Sequence, residues 1–148
     1  MKILKYTFTL PRLELVDDEL VETGTIEETH TFTLLFKGIG LYEEMANRPL
    51  LTSLMEVAQD GEVTTASVQK ILSKEFISNL ACASYVKIEN GKFHNNRGTA
   101  EEFKKTSAYS EIFRDFEFIT ELISMAVDCI KDKGTDVQYK NNEKIKKR

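Results

Sequence analysis

THTFTLLFKGIGLYEEM, residues 29–45, is the stretch on which the fold turns. Residues 29–36 alternate strictly, so His30, Phe32, Leu34 and Phe36 share one face of a predicted strand and Thr29, Thr31, Thr33 and Leu35 the other. Gly38-Ile39-Gly40 follows, and then Leu41, Tyr42 and Met45 take up helical spacing. A strand running through two glycines into a helix is the layout of a phosphate-binding turn. The details exclude that chemistry. A dinucleotide fingerprint needs a third glycine inside a parallel βαβ unit, and a Walker loop needs GxxxxGK with Ser or Thr next. Residues 37–42 have neither, and Glu43 and Glu44 stand in the first helical turn, where a phosphate would sit. The two glycines therefore predict a flexible strand-to-helix turn.

Working towards the N-terminus, Leu4, Tyr6, Phe8 and Leu10 alternate with Lys5, Thr7 and Thr9, the pattern of a half-buried strand. Pro11 interrupts it, as an edge strand allows, and Leu13 and Leu15 fit its resumption. Residues 29–37 supply an antiparallel partner. The acidic segment between them, residues 16–28, holds Asp17, Asp18, Glu19, Glu22, Glu27 and Glu28 and no basic residue. Calcium loops need oxygens at alternate positions around an obligatory glycine turn, a spacing this segment lacks. It reads as a solvated hairpin extension, with a docking surface for a basic partner as the sharper alternative.

Beyond residue 39 the patterning is helical. A short helix over residues 40–47 ends before Pro49, which opens a second with Leu50, Leu51, Leu54, Met55 and Ala58 on its apolar side and Gly61 as its stop. Thr64 or Thr65 caps a longer helix running to about Tyr85, through Val68, Ile71, Leu72, Phe76, Leu80 and Ala83. Asn90-Gly91 marks a tight turn. Thr99-Ala100-Glu101-Glu102 fits a capping box, and a last helix is expected from Ser107 to about Ile130. That helix carries two stripes. Tyr109, Ile112, Phe113, Phe116, Ile119, Ile123, Val127 and Ile130 form one, facing the core. Phe118, Leu122, Met125 and Cys129 form another on nearly the opposite side. A helix apolar on two faces is either sandwiched within its own domain or touching another chain, and these four residues are the interface expected from the sequence.

The expected fold class is α+β: an N-terminal antiparallel β-hairpin followed by a mainly helical body with two long helices. The 148 residues suit one domain over 1–131 with a basic, flexible tail over 132–148. The tail carries a net +3, which leaves −7 on the rest of a chain whose total is −4. An acidic body argues against nucleic-acid binding, which needs a basic face. Cys82 and Cys129 lie in helical patterns without metal-ligand spacing and read as reduced core thiols, in keeping with a cytoplasmic protein. No apolar run approaches the length of a membrane span. The histidines, His30 on an apolar strand face and His94 in a polar loop, lack a neighbouring cysteine or a carboxylate at ligand spacing. No GxSxG elbow is present, and the carboxylate pairs fall in exposed-looking runs. Neither catalysis, a metal nor a cofactor is expected.

The stretches FTLLFKGIGLYEEM (32–45), PLLTSLMEV (49–57) and TAEEFKKTSAYSEIFRDFEFITELISMAVDCI (99–130), in this order behind a first strand, resemble the tail assembly chaperones of long-tailed phages of Gram-positive bacteria. The resemblance covers most of residues 1–131 and is one of element order; the acidic segment 16–28 is longer than the family's strand connection needs. It implies a non-catalytic chaperone that coats the helical tape measure protein until the tail tube forms around it. It also implies self-association and a longer form of the chain made by ribosomal frameshifting. The competing reading from the residues is a small adaptor or regulatory protein of a mobile element, binding one protein through its helical half.

Overall fold

The computed structural model describes residues 2–57 and 73–146 of the chain, with residues 56, 57 and 132–146 described as backbone. The first two strands, β1 (Leu4–Val16) and β2 (Glu19–Phe32), form one long antiparallel hairpin. Its two-residue turn is Asp17-Asp18, both at positive φ (50° and 63°), the geometry that matches the strands' right-handed twist. Pro11 sits within β1 opposite Thr25 without ending the strand. The hairpin extension expected for the acidic segment is thus what forms.

Helix α1 covers Phe36–Ala46 and α2 Leu50–Val57. Helix α3 (Lys74–Ser84) is capped by Ser73, whose side chain accepts from the Phe76 amide at 3.3 Å. Strands β3 (Tyr85–Glu89) and β4 (Lys92–His94) make a small hairpin whose turn is Asn90-Gly91, at φ 51° and 76°, as the sequence predicts. Helices α4 (Arg97–Lys104), α5 (Ser107–Glu111) and α6 (Phe116–Lys146) complete the chain. The described fold is α+β, an N-terminal antiparallel hairpin followed by a helical body. The strands form one antiparallel sheet in the order β1-β2-β3-β4. Strand β3 joins β2 through only two pairs, Thr31 with Val86 and Phe32 with Tyr85.

An aromatic core fixes the helices on one face of this sheet. Phe118 of α6 lies 5.1 Å from Tyr6, 4.9 Å from Phe8 and 5.1 Å from Phe32, ring centre to ring centre. Phe103 of α4 stacks on Tyr85 at 4.9 Å and meets Phe32 edge-on at 5.4 Å. Such pairs add to the burial of apolar area, which dominates the stability of the fold. The other face is threonine-lined, with Thr7 and Thr29 hydroxyls 2.9 Å apart.

Several boundaries differ from the sequence reading. The strand stops at Phe32, and helix α1 begins at Phe36, which is 72% exposed rather than on the apolar face. Gly38 and Gly40 therefore lie inside α1, not in a turn. The box that opens α4 is Asn96 with Thr99: Asn96 Oδ1 accepts from the Thr99 amide and Thr99 Oγ1 from the Asn96 amide. The expected helix from Ser107 to Ile130 is broken at residues 112–115, because Asp115 caps a new helix by accepting from the Phe118 amide at 3.0 Å. That helix then continues to Lys146, into the segment read as a flexible tail. The expected caps Thr64 and Thr65, and Ala58, Gly61, Val68, Ile71 and Leu72, lie outside the described residues.

Candidate interaction surface

The interface expected at Phe118, Leu122, Met125 and Cys129 is corrected by their burial. They are 0–2% exposed within the chain's own core. Ile119, Ile123 and Val127, on the other stripe, are buried as well, while Phe116 is 45% exposed. Helix α6 is apolar on two sides because the sheet packs on one and helices α2 and α3 lie against it elsewhere. Of the two alternatives for a two-faced helix, it is the sandwiched one, and a partner would have to meet a different surface.

A conspicuous exposed apolar set lies instead on the far half of the β1–β2 hairpin. Phe8 and Leu10 are its last core residues, and every residue from Pro11 to Glu27 is exposed. Six large apolar side chains nevertheless stand there: Leu13, Leu15, Val16, Leu20, Val21 and Ile26, between 41% and 71% exposed. Leu15 and Leu20 are direct cross-strand partners at the tip, 70% and 71% exposed. A register shift sets the facing of Leu20 and Val21. Arg12 pairs with Gly24 but Leu13 pairs with Glu22, so β2 carries Thr23 as one extra residue. By strand alternation Leu13, Leu15 and Leu20 fall on the threonine side of the sheet, and Val16 continues the side of Phe8 and Leu10. Both faces of the arm are thus apolar in part.

A two-stranded hairpin is marginal alone in water, and this one has no third strand along residues 11–27 among the described residues. Pro11 lacks an N–H and blunts the β1 edge against pairing with another strand. Around the six apolar side chains stand Glu14, Asp17, Asp18, Glu19, Glu22 and Glu27 against one cation, Arg12, which lies 3.6 Å from Glu14. Apolar side chains ringed by carboxylates fit a partner that is both apolar and basic.

The remaining sequence candidates are built into the structure. The glycine stretch is helix: a methyl added at Gly38 would lie 2.7 Å from the Ala83 carbonyl oxygen, so this glycine lets α1 touch the end of α3. Glu43 accepts from the Leu50 amide at 3.1 Å, and Glu44 pairs with Arg97. His30 Nε2 is 2.5 Å from Glu28 Oε1, and its ring lies edge-on to Tyr85 and Phe103. His94 is partly exposed, 3.9 Å from Glu89. Among the described residues, no group of three or more His, Cys, Asp or Glu side chains is placed to hold a metal ion. Nor, among the described residues, is any helix long and apolar enough to cross a membrane. Cys82 and Cys129 are buried free thiols. The exposed apolar set of the arm went unread in the sequence, although Leu13, Leu15, Leu20, Val21 and Ile26 scattered among carboxylates were a visible signal.

Fold and surface together define an α+β domain with a projecting hairpin, acidic and apolar at once. Comparison with protein-family models, with curated proteins and with solved structures gives no match for the chain.

Proposed function

We propose that this protein is a non-catalytic tail assembly chaperone of a long-tailed phage or prophage. It works in the host bacterial cytoplasm, where it binds the tape measure protein and keeps it soluble while the tail tube assembles. The observation that carries the reading is the arm, where exposed leucines are set among carboxylates. Apolar side chains would cover exposed stripes of a long amphipathic client, and the surrounding negative charge would keep the complex in solution. The resemblance over residues 32–45, 49–57 and 99–130 supplies the client's identity. Self-association and a frameshifted longer form belong to the same reading.

An adaptor binding one protein through its helical half is the second reading. Leu51 and Met55 favour it, standing one helical turn apart on α2 and 54% and 68% exposed.

Co-expression with the product of the longest reading frame just downstream tests the proposal. Retention of a long helical protein in the soluble fraction is the expected result, weakened by Leu15→Lys with Leu20→Lys. A client that precipitates equally with and without this chain overturns it. Loss of partner binding through Leu51→Lys with Met55→Lys alone would transfer the function to the second reading.

A further inference from the structure

Strand β2 is paired unevenly. It stands between β1 and β3 in the sheet, yet β3 joins it only at Thr31 and Phe32. Past Val86, β3 pairs with β4 alone, Lys87 opposite His94 and Ile88 opposite Phe93. Residues 25–30 of β2 therefore pair with β1 on one side and, among the described residues, with no strand on the other. An antiparallel strand turns every second residue's N–H and C=O away from its partner, so this stretch presents an open row of donors and acceptors. Folds commonly blunt such an edge with proline, lysine or a bulge. The β1 edge has Pro11, whereas residues 25–30, TIEETH, hold neither proline nor lysine, and the bulge at Thr23 lies beyond them towards the tip. Six residues make a strand of ordinary length.

The side chains along this edge define what fits it. Thr25, Glu27 and Thr29 pair with Pro11, Thr9 and Thr7 and share the threonine side; Ile26 pairs with Leu10 and Glu28 with Phe8, on the core side. Thr25, Ile26, Glu27 and Thr29 are exposed. Glu28 is engaged by His30, at 2.5 Å, which leaves Glu27 as the carboxylate open to a newcomer. Glu19 and Glu22 follow on the same strand, and residues 19–30 hold no lysine or arginine. A residue directly across from a carboxylate is favoured when it is cationic, and one across from isoleucine when it is apolar and β-branched.

We propose that residues 25–30 of β2 accept an added strand: an extended segment of a partner protein that alternates lysine or arginine with β-branched residues. Its backbone completes the ladder that β3 leaves unfinished, which supplies the affinity. A cation across from Glu27 and an apolar side chain beside Ile26 supply the choice of partner. The site is at the root of the arm and takes an extended chain, whereas in the chaperone reading the leucines of the tip meet a helical client. It therefore stands or falls separately from that reading.

Nuclear magnetic resonance of the full chain, with a short synthetic peptide alternating lysine with valine as the probe, tests it. The amide signals of residues 25–30 should shift, and those whose N–H groups face away from β1 should become protected from exchange. The same peptide with every backbone nitrogen methylated keeps its charge and side chains but cannot pair, and should leave the signals unmoved. Glu27→Lys, an exposed substitution whose fold circular dichroism checks, should weaken binding of the parent peptide, as should a rise in salt. A parent peptide that leaves residues 25–30 unmoved would overturn the proposal. So would a methylated peptide that binds as well as the parent, an unchanged affinity in Glu27→Lys, or shifts confined to residues 13–21. Protection of these amides before any peptide is added, lost on dilution, would assign the edge to a second copy of this chain and overturn it too.

Discussion

The Tyr6 hydroxyl lies 2.9 and 2.8 Å from the two carboxylate oxygens of Asp115, joining the root of the arm to the start of the longest helix across 109 residues of sequence. Asp115 also caps that helix, so one carboxylate holds strand and helix together. Tyr6→Phe should cost about 1.5–3 kcal/mol, the range for a hydrogen bond to a charged group. Asp115→Ala should cost about 1 kcal/mol more, because it also removes the cap. Urea denaturation followed by far-ultraviolet circular dichroism measures both, and equal losses would show that the cap contributes nothing.

Cys82 gives the fold an alkaline limit. Burial pushes its thiol from 9.0 up to about 11, with Lys104 and Ser78 pulling the other way. The folded state holds the proton more tightly than the unfolded chain, so this contribution is fully present below pH 9 and is lost as pH rises towards 11. Two units correspond to about 2–3 kcal/mol. Cys82→Ala should therefore flatten the fall in stability across this window. Burial, then Asp115, raises the Tyr6 phenol too, which adds loss of the same sign at higher pH. Denaturation midpoints at pH 8 and 11 for wild type and variant decide it; parallel falls would exclude the thiol.

The two glycines of α1 should respond oppositely to alanine. At Gly38 the added methyl meets the Ala83 carbonyl oxygen at 2.7 Å and Asn95 Oδ1 at 3.1 Å, which predicts a loss of about 1–3 kcal/mol from overpacking. At Gly40 nothing lies within 4 Å, so Gly40→Ala should stabilise by about 0.5–1 kcal/mol through helix propensity. Melting temperatures of the two variants give the signs directly.

Phe118→Ala should destabilise by about 3–5 kcal/mol, as expected for a core ring packed on three others. Leu15→Lys, at an exposed arm position, should stay within about 0.5 kcal/mol of wild type. If both cost the same in a urea titration, the arm is packed in the isolated chain and cannot be free for a partner.

Much of the fold was legible because its signals are local. Alternation at Leu4–Leu10 and Thr29–Phe32 marks the two strands, and Asn90-Gly91 can serve a tight turn by itself. Errors arose where a distant contact decides. Gly38 reads as a turn until the Ala83 carbonyl oxygen is seen against it, a contact between helices that the sequence does not display. Phe118 and Ile119 lie on different stripes, and no periodicity tells whether a second stripe meets a sheet or another chain. The split before α6 was missed because Asp115 resembles any charged helix residue until Phe118 donates to it. The arm's acidity is visible in the sequence, whereas the facing of Leu20 depends on a one-residue shift at Thr23 that only the strand pairing shows.

The β1–β2 ladder also sets two clocks for amide exchange. At Phe8 and Leu10 a backbone bond opens only when the core does, so those protons should report global unfolding. Past Pro11 the same ladder is flanked by solvent on both sides and can fray from Asp17-Asp18 inward without disturbing a single core ring. Protection should fall in a gradient along one continuous pair of strands. An arm held by a neighbour would lose that gradient, its tip becoming as slow to exchange as its root.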